Sequence, residues 1–379
     1  MTRTSAIRTP LAEAPAWQKV PVARPRLPAA ETILPYLQRI DTARWYSNFG
    51  PLLMELETRL AHRFGDGAQV VTTVNATQAL ILALKAMDLP AGSLCATPSW
   101  TFVATAHAVR QAGLTPWFVD VDAETWMLDP AVVRERLAQA PGPVSAVIPV
   151  AAFGHMPDLA AWRAFQDETA VRVLIDAAAA FDGAVDASLP IVVSLHATKV
   201  VGLGEGGFLA TRDPDLARRV RRLTSFGFDG SREALCVATN AKLSEYAAAV
   251  GLAALDGWPA DRLRWFMTAQ ALRRAVAAVP QVRFQSGWGS RWTTSVCVVG
   301  LPDGTADMVE AVLRAEGVDT RRWWGEGCHV GPAFADCPHD RLLNTESLAR
   351  STIGLPFAID LTTAQIERIA AALAQALPR

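Results

Sequence analysis

Paired cysteines, net charge and long apolar runs are what this sequence has little of. Its five cysteines, Cys95, Cys236, Cys297, Cys328 and Cys337, are odd in number and form no CxxC pair. That excludes a disulfide framework and leads to the expectation of a reducing, cytoplasmic setting. The stretch "CHVGPAFADCPH" (328–339) gathers two Cys and two His, but at a spacing that matches no common zinc arrangement, so no metal is expected. Lys and Arg number 36 against 37 Asp and Glu, a formal net charge of −1, which gives no reason to expect nucleic acid or an anionic membrane as partner. The densest basic run, "LARRVRRL" (216–223), reads as the solvated face of a helix. Apolar runs such as "ALILAL" (79–84) stop at Lys85, far short of the ~20 residues that span a bilayer. "MTRTSAIRTPLAEAPAW" has two arginines and no apolar h-region, so no secretory signal is expected. Internal repeats and low-complexity tracts are absent.

What is present is a chain of 379 residues, 51% hydrophobic, long enough for two domains and a large core. Residues 1–30, rich in Pro, Ala and Arg, read as an extended arm. From 31 to 255 short β-rich runs alternate with helical patterns. "QVVTTV", "SLCATPS", "LTPWFVDVD", "VSAVIPVAAFG", "VRVLID" and "IVVSLHA" are apolar almost throughout, as strands of a mainly parallel sheet covered on both faces are. "AKLSEYAAAVGLAALDGW" (241–258) is an amphipathic helix, after which residues 256–379 read as a smaller α+β domain. The expected fold class is α/β, a large domain with a mainly parallel sheet flanked by helices, followed by that C-terminal domain.

In such a fold ligands collect at the carboxyl ends of the strands, and three features fall there. In "VNATQAL" (74–80) a strand turns at Asn75-Ala76-Thr77 into a helix, whose free N–H groups and the Thr77 hydroxyl favour an anion. The competing reading is an ordinary cap by Asn75. In "VRVLIDAAAAFDG" (171–183) Asp176 ends an apolar strand before four alanines. It either meets a cation in a cleft or caps the next turn. In "IVVSLHATKVVGLGEGG" (191–207) Ser194 offers a hydroxyl to an anion. Lys199, in an apolar setting, would have a lowered pKa and act as an amine nucleophile; its alternative is a surface lysine. "GLGEGG" (202–207) formally matches G-x-G-x-x-G but is followed by the β-like "FLAT", not by a helix, so the dinucleotide reading fails. An anion cradle, a carboxylate for a cationic ring nitrogen and an amine are the three groups pyridoxal 5′-phosphate (PLP) asks for.

These residues resemble the DegT/StrS family of sugar aminotransferases, fold-type-I PLP enzymes. From about residue 20 onward "WYSNFGPLLMELETRLA", "NATQALILAL", "PSWTFVATAHAV", "PWFVDVD", "IDAAAAFDG", "SLHATKVVGLGEGG", "GFDG", "TNAKLSE" and "TRRWWGEGCH" follow its blocks in order. The resemblance implies that Lys199 condenses with the cofactor aldehyde and shuttles the proton, and that Asp176 holds the ring nitrogen protonated. It implies a phosphate held by the Ala76 N–H, Thr77 and Ser194, a ring stacked on Phe102, and Asn240 reaching the phosphate from the partner subunit of a homodimer. Trp100 is placed near the same pocket or in the core. His196, Arg322 and His329 stand in blocks that approach cofactor or substrate in the family, with a packing role as the alternative for each. One position departs from the pattern: Ala179 stands where Gln or His is usual, beside the ring.

The implied reaction moves the amino group of L-glutamate to a nucleotide-linked keto sugar in two half-reactions. The blocks "GFDG", "TNAKLSE" and "TRRWWGEGCH" are most similar to those of members acting on dTDP- or GDP-linked 4-keto-6-deoxyhexoses, with a 3-keto sugar or a cyclitol ketone as alternatives. A non-catalytic PLP- or nucleotide-sugar-binding protein is the alternative of another class, and a nicotinamide dehydrogenase, resting on the glycine pattern alone, is the weakest.

Overall fold

The apolar runs become strands because both their faces are covered. A computed structural model describes residues 19–378; most of the N-terminal arm expected over 1–30 therefore lies outside the described residues. The strands are β1 (Gln69–Thr73), β2 (Leu94–Pro98), β3 (Thr115–Val119), β4 (Val144–Val147), β5 (Arg172–Val173), β6 (Ile175–Asp176), β7 (Ile191–Ser194) and β8 (Gly207–Thr211). They pair in the orders β3-β2-β4-β5 and β6-β7-β8-β1. β5 runs into β6 through Leu174, and Val150 bridges Asp176 in parallel, so the two sets are one sheet. Every pairing in it is parallel except those of β8 with β7 and β1. Helices cover both faces, and buried side chains such as Val71, Ile148 and Leu174 on one side and Val147, Val173 and Val193 on the other belong to separate apolar cores.

Parallel order fixes where the functional residues go. β1, β2, β4, β6 and β7 all end at the same edge, delivering Asn75, Thr101, Val150, Asp176 and Ser194 there. The register across β8 places Gly207 opposite Thr73 on one side and Ser194 on the other.

The C-terminal part is an antiparallel sheet of β9 (Arg283–Phe284), β10 (Cys297–Gly300) and β11 (Thr352–Leu355), backed by helices Ala306–Ala315 and Thr363–Ala376. Residues 19–23 lie along it, with Val20 bridging Val318 and Ala23 bridging Phe357. The helix expected to end near Trp258 instead runs from Glu245 to Val276, 32 residues, straight through the boundary expected near 255. Pro259 within it does not break it, because Trp258, Trp265, Ala269 and Leu272 are all buried along its continuation. Among the described residues no helix is long and apolar enough to cross a membrane.

Candidate active site

At the carboxyl edge of the sheet lies a cavity of about 770 Å³. Ala76, Thr77, Phe102, Asp176, Ser194, His196, Lys199 and Arg322, all singled out in the sequence, line it, together with Ala179. Three strand ends, one helix start and, for Arg322, the C-terminal part of the chain have brought them together.

The helix Ala76–Ala86 opens onto this cavity. Asn75 does cap it, its Oδ1 accepting from Gln78 N at 2.9 Å. The capping reading holds, and the cap leaves the Ala76 and Thr77 N–H groups and the Thr77 hydroxyl unengaged. Across from them Ser194 presents its hydroxyl, which accepts from His196 N at 3.2 Å. Gly207 lies between the two sides, and a Cβ there would meet Ala76 N at 2.4 Å. The absent side chain lets the helix start pack directly against β8, with the Ala76 and Thr77 donors at the cavity wall, a geometry an anionic phosphate fits.

Asp176 is 5% exposed. Its Oδ2 accepts from Thr105 Oγ1 at 2.8 Å and its Oδ1 from Ala178 N at 3.0 Å, while Thr101 and Thr105 share a hydroxyl contact of 3.0 Å. Burial pushes its carboxyl above the usual range, against the opposing pull of these donors and of Lys199. Lys199 sits in the turn after β7, its N–H donating to His196 O at 2.9 Å. Protein surrounds its side chain while part of its surface faces the cavity. Burial draws its pKa down, and Asp176 opposes the shift. Among the described residues its ammonium makes no hydrogen bond and no ion pair. Lys199 is thus a partly buried lysine at a cavity wall and not an exposed surface one.

Phe102, the residue before the helix Val103–Gln111, is 60% exposed, an aromatic face turned outward at a cavity wall. His196 Nδ1 accepts from Thr198 N at 3.2 Å and stands 2.8 Å from the Thr198 hydroxyl, while its Nε2 lies 3.6 Å from Glu205. It thus ties the lysine turn together at the cavity wall.

Other expected residues are placed elsewhere or are occupied. Trp100 does not line the cavity; it is buried edge-on against Phe153 and Trp324. His329 does not line it either: Ser99 Oγ and His329 Nδ1 stand 2.8 Å apart, which fixes its loop to the end of β2. Arg322 reaches the wall, but its Nε donates to Glu310 at 3.1 Å, Nη1 to Ala349 O at 2.6 Å and Nη2 to Asp307 at 2.6 Å, a packing role. Asn240 is exposed outside the cavity, its Oδ1 accepting from Lys242 Nζ at 2.6 Å. The cysteines of 328–339 pack in a small apolar cluster with Phe118 and Phe334. Among the described residues no group of three or more His, Cys, Asp or Glu could hold a metal ion.

The structure also adds residues that sequence reasoning passed over. Thr105 holds Asp176, a role signalled only by its four-residue spacing from Thr101 in "TFVAT". Phe153, with φ 54°, and Trp324 stack at 3.8 Å between ring centroids and form an aromatic wall. At the departing position the Ala179 carbonyl accepts from Thr294 Oγ1 at 3.0 Å.

A mainly parallel sheet with one antiparallel strand, a smaller α+β domain and this cavity at the strand ends is the architecture of the fold-type-I PLP-dependent transferases. The DegT/DnrJ/EryC1/StrS aminotransferase family model matches residues 28–374, and the chain belongs to that family. It is 31% identical to GDP-perosamine synthase of Caulobacter vibrioides, over 95% of this chain and 98% of that one. It is also 31% identical to UDP-2-acetamido-2-deoxy-3-oxo-D-glucuronate aminotransferase of Pseudomonas aeruginosa, over 86% and 90%. Among solved structures, DesI in the presence of its TDP-sugar product superimposes with a TM-score of 0.86 at 36% identity, covering 96% of this chain and 94% of that one.

Proposed function

We propose that the protein is a homodimeric cytoplasmic aminotransferase that takes the amino group of L-glutamate and places it on a nucleotide-linked 4-keto-6-deoxyhexose. The observation that carries this reading is the unpaired Lys199 ammonium sharing one cavity with the buried Asp176 and with Ala76, Thr77 and Ser194. PLP, when bound, supplies an aldehyde that carries the amino group between substrates and a pyridinium that takes up the electron pair of a broken C–H bond. The Ala76 and Thr77 N–H groups and the Thr77 and Ser194 hydroxyls would hold its phosphate. Asp176 would hold a proton on the ring nitrogen, and Phe102 would cover one ring face. Lys199 Nζ, as neutral amine, would take the proton from the α-carbon of glutamate and, in the second half-reaction, deliver one to the sugar carbon that receives the amine. The apolar wall of Phe153 and Trp324 suits a deoxy sugar, whose methyl group asks for no hydrogen-bond partner. Relatives named for GDP- and TDP-linked sugars support the nucleotide-linked acceptor. The 3-oxo sugar in the name of the Pseudomonas relative is the alternative.

The visible absorbance of the holoprotein tests the donor half. Addition of L-glutamate is expected to bleach the band of the wild type and to leave Lys199→Ala unresponsive. A wild-type band that glutamate leaves unchanged would favour a binding protein over a transaminase.

The dimer is supported by apolar side chains that the single chain leaves in water. Val237 is 98% exposed, and Leu235 and Phe226 are about half exposed on the segment that leads to Asn240. The wild type is expected to sediment at twice the 40.7 kDa chain mass and Val237→Asp at a lower value. A monomeric wild type would remove this part of the reading.

A further inference from the structure

Arg321 and Arg322 are neighbours in sequence with opposite fates. All three kinds of guanidinium nitrogen of Arg322 are engaged within the C-terminal domain. Arg321 also lines the cavity, but among the described residues its guanidinium has no carboxylate within ion-pair distance and donates no hydrogen bond. Arg24 and Arg26, which border the Lys199 side of the site, are paired with Asp360 at 3.3 Å and Asp261 at 3.0 Å.

Arg321 is also held in place. Its N–H donates to Gly354 O at 3.1 Å and its carbonyl accepts from Gly354 N at 2.8 Å, which fixes the backbone to β11. Its guanidinium lies 4.8 Å from the centre of the Trp323 ring. That ring in turn packs against Gly354, where a Cβ would meet Trp323 Nε1 at 2.2 Å. A bare glycine seats the indole, and the indole supports the planar cation, leaving its edge donors free.

We propose that Arg321 receives the diphosphate of the nucleotide-linked acceptor at the cavity mouth. The proposal rests on the acceptor reading given above. Arg321 is exposed where Asp176 is buried and Lys199 partly buried, which places it toward the opening and away from the reacting end. A sugar nucleotide whose hexose reaches the aromatic wall carries its two phosphates outward from there. The planar guanidinium matches phosphate oxygens two at a time. The other cavity-lining charges are Lys199 and the carboxylates Asp176 and Glu205, with Arg322 and His196 already engaged, so Arg321 is the cation left for an anion at the rim.

Calorimetric titration of the holoprotein with dTDP, GDP and UDP tests this without any turnover. Arg321→Ala is expected to weaken the best of these nucleotides by about tenfold to a hundredfold. Arg321→Lys should fall between, and rising salt should weaken the wild type more than Arg321→Ala. L-glutamate should half-saturate the bleaching of the visible band at the same concentration in all three proteins. Unchanged nucleotide affinity in Arg321→Ala would overturn the assignment and leave the acceptor reading standing. A shift in the glutamate dependence with unchanged nucleotide affinity would overturn it in favour of a carboxylate site. A wild type that binds none of the three nucleotides would overturn the acceptor reading itself, and the assignment with it.

Discussion

Asp176→Asn is expected to lower the rate of the glutamate half-reaction roughly a thousandfold, the scale on which removing one preorganised electrostatic group acts. The asparagine has the same shape, so the fold has little reason to respond. Its oxygen can accept from Ala178 N as Asp176 Oδ1 does now, and its amide can donate to Thr105, whose own hydroxyl can turn to Thr101. Every buried polar atom in that row keeps a partner, and the change in stability should stay within about 1 kcal/mol. What the variant lacks is a negative charge to hold a proton on the ring nitrogen. Stopped-flow absorbance with glutamate, set beside thermal unfolding, separates the two effects. A loss of less than tenfold would mean that the ring nitrogen is held by some other group.

Gly207→Ala should be the most damaging single methyl group near the cradle. The new Cβ would stand 2.4 Å from Ala76 N, 2.6 Å from Ala76 Cα and 2.8 Å from Asn75 C, all backbone atoms that cannot rotate away. Either β8 or the start of the helix Ala76–Ala86 must move, at a cost of about 1–3 kcal/mol from overpacking. The displaced N–H groups are the ones assigned to the phosphate, so PLP affinity is expected to fall at least tenfold, a loss of about 1.4 kcal/mol. Gly257→Ala is the control. It lies exposed within the helix Glu245–Val276, with only Asp261 Oδ2 near its Cβ position at 3.8 Å, and should stabilise by about 0.5–1 kcal/mol. Cofactor content after dialysis and the melting temperature with and without added PLP report both. Full cofactor retention in Gly207→Ala would show that the phosphate is bound elsewhere.

The sheet and its helices were legible because buried parallel strands are written as unbroken apolar runs, and helix starts as polar residues before them. Asp176 and Lys199 stood out for the same reason: a single charge ending or following such a run is costly to bury unless a partner or a ligand meets it. The two arginines show where this legibility stops. Arg321 and Arg322 are identical side chains one position apart, and they are distinguished by Asp307 and Glu310 on the helix Ala306–Ala315, whose placement only the folded small domain reveals. His329 was hidden in the same way, its partner Ser99 being 230 positions away. Phe153 takes a left-handed backbone, which no residue preference in the sequence signals. The helix runs through Pro259, a poor helix former, because the apolar face beyond it has a core to enter, and packing overrides propensity.

The same helix decides how the protein can be divided. Ala248, Ala249 and Leu252 enter the interior beside Leu52 and Leu56, while Trp265, Ala269 and Leu272 enter it beside Phe357 and Ile369, and all belong to one continuous apolar cluster. Dissection at residue 255 would strand half of that helix on each fragment, each with an oily face and nothing to cover it. The two parts of the chain share one apolar core, and fragments cut at residue 255 are expected to fail to fold alone.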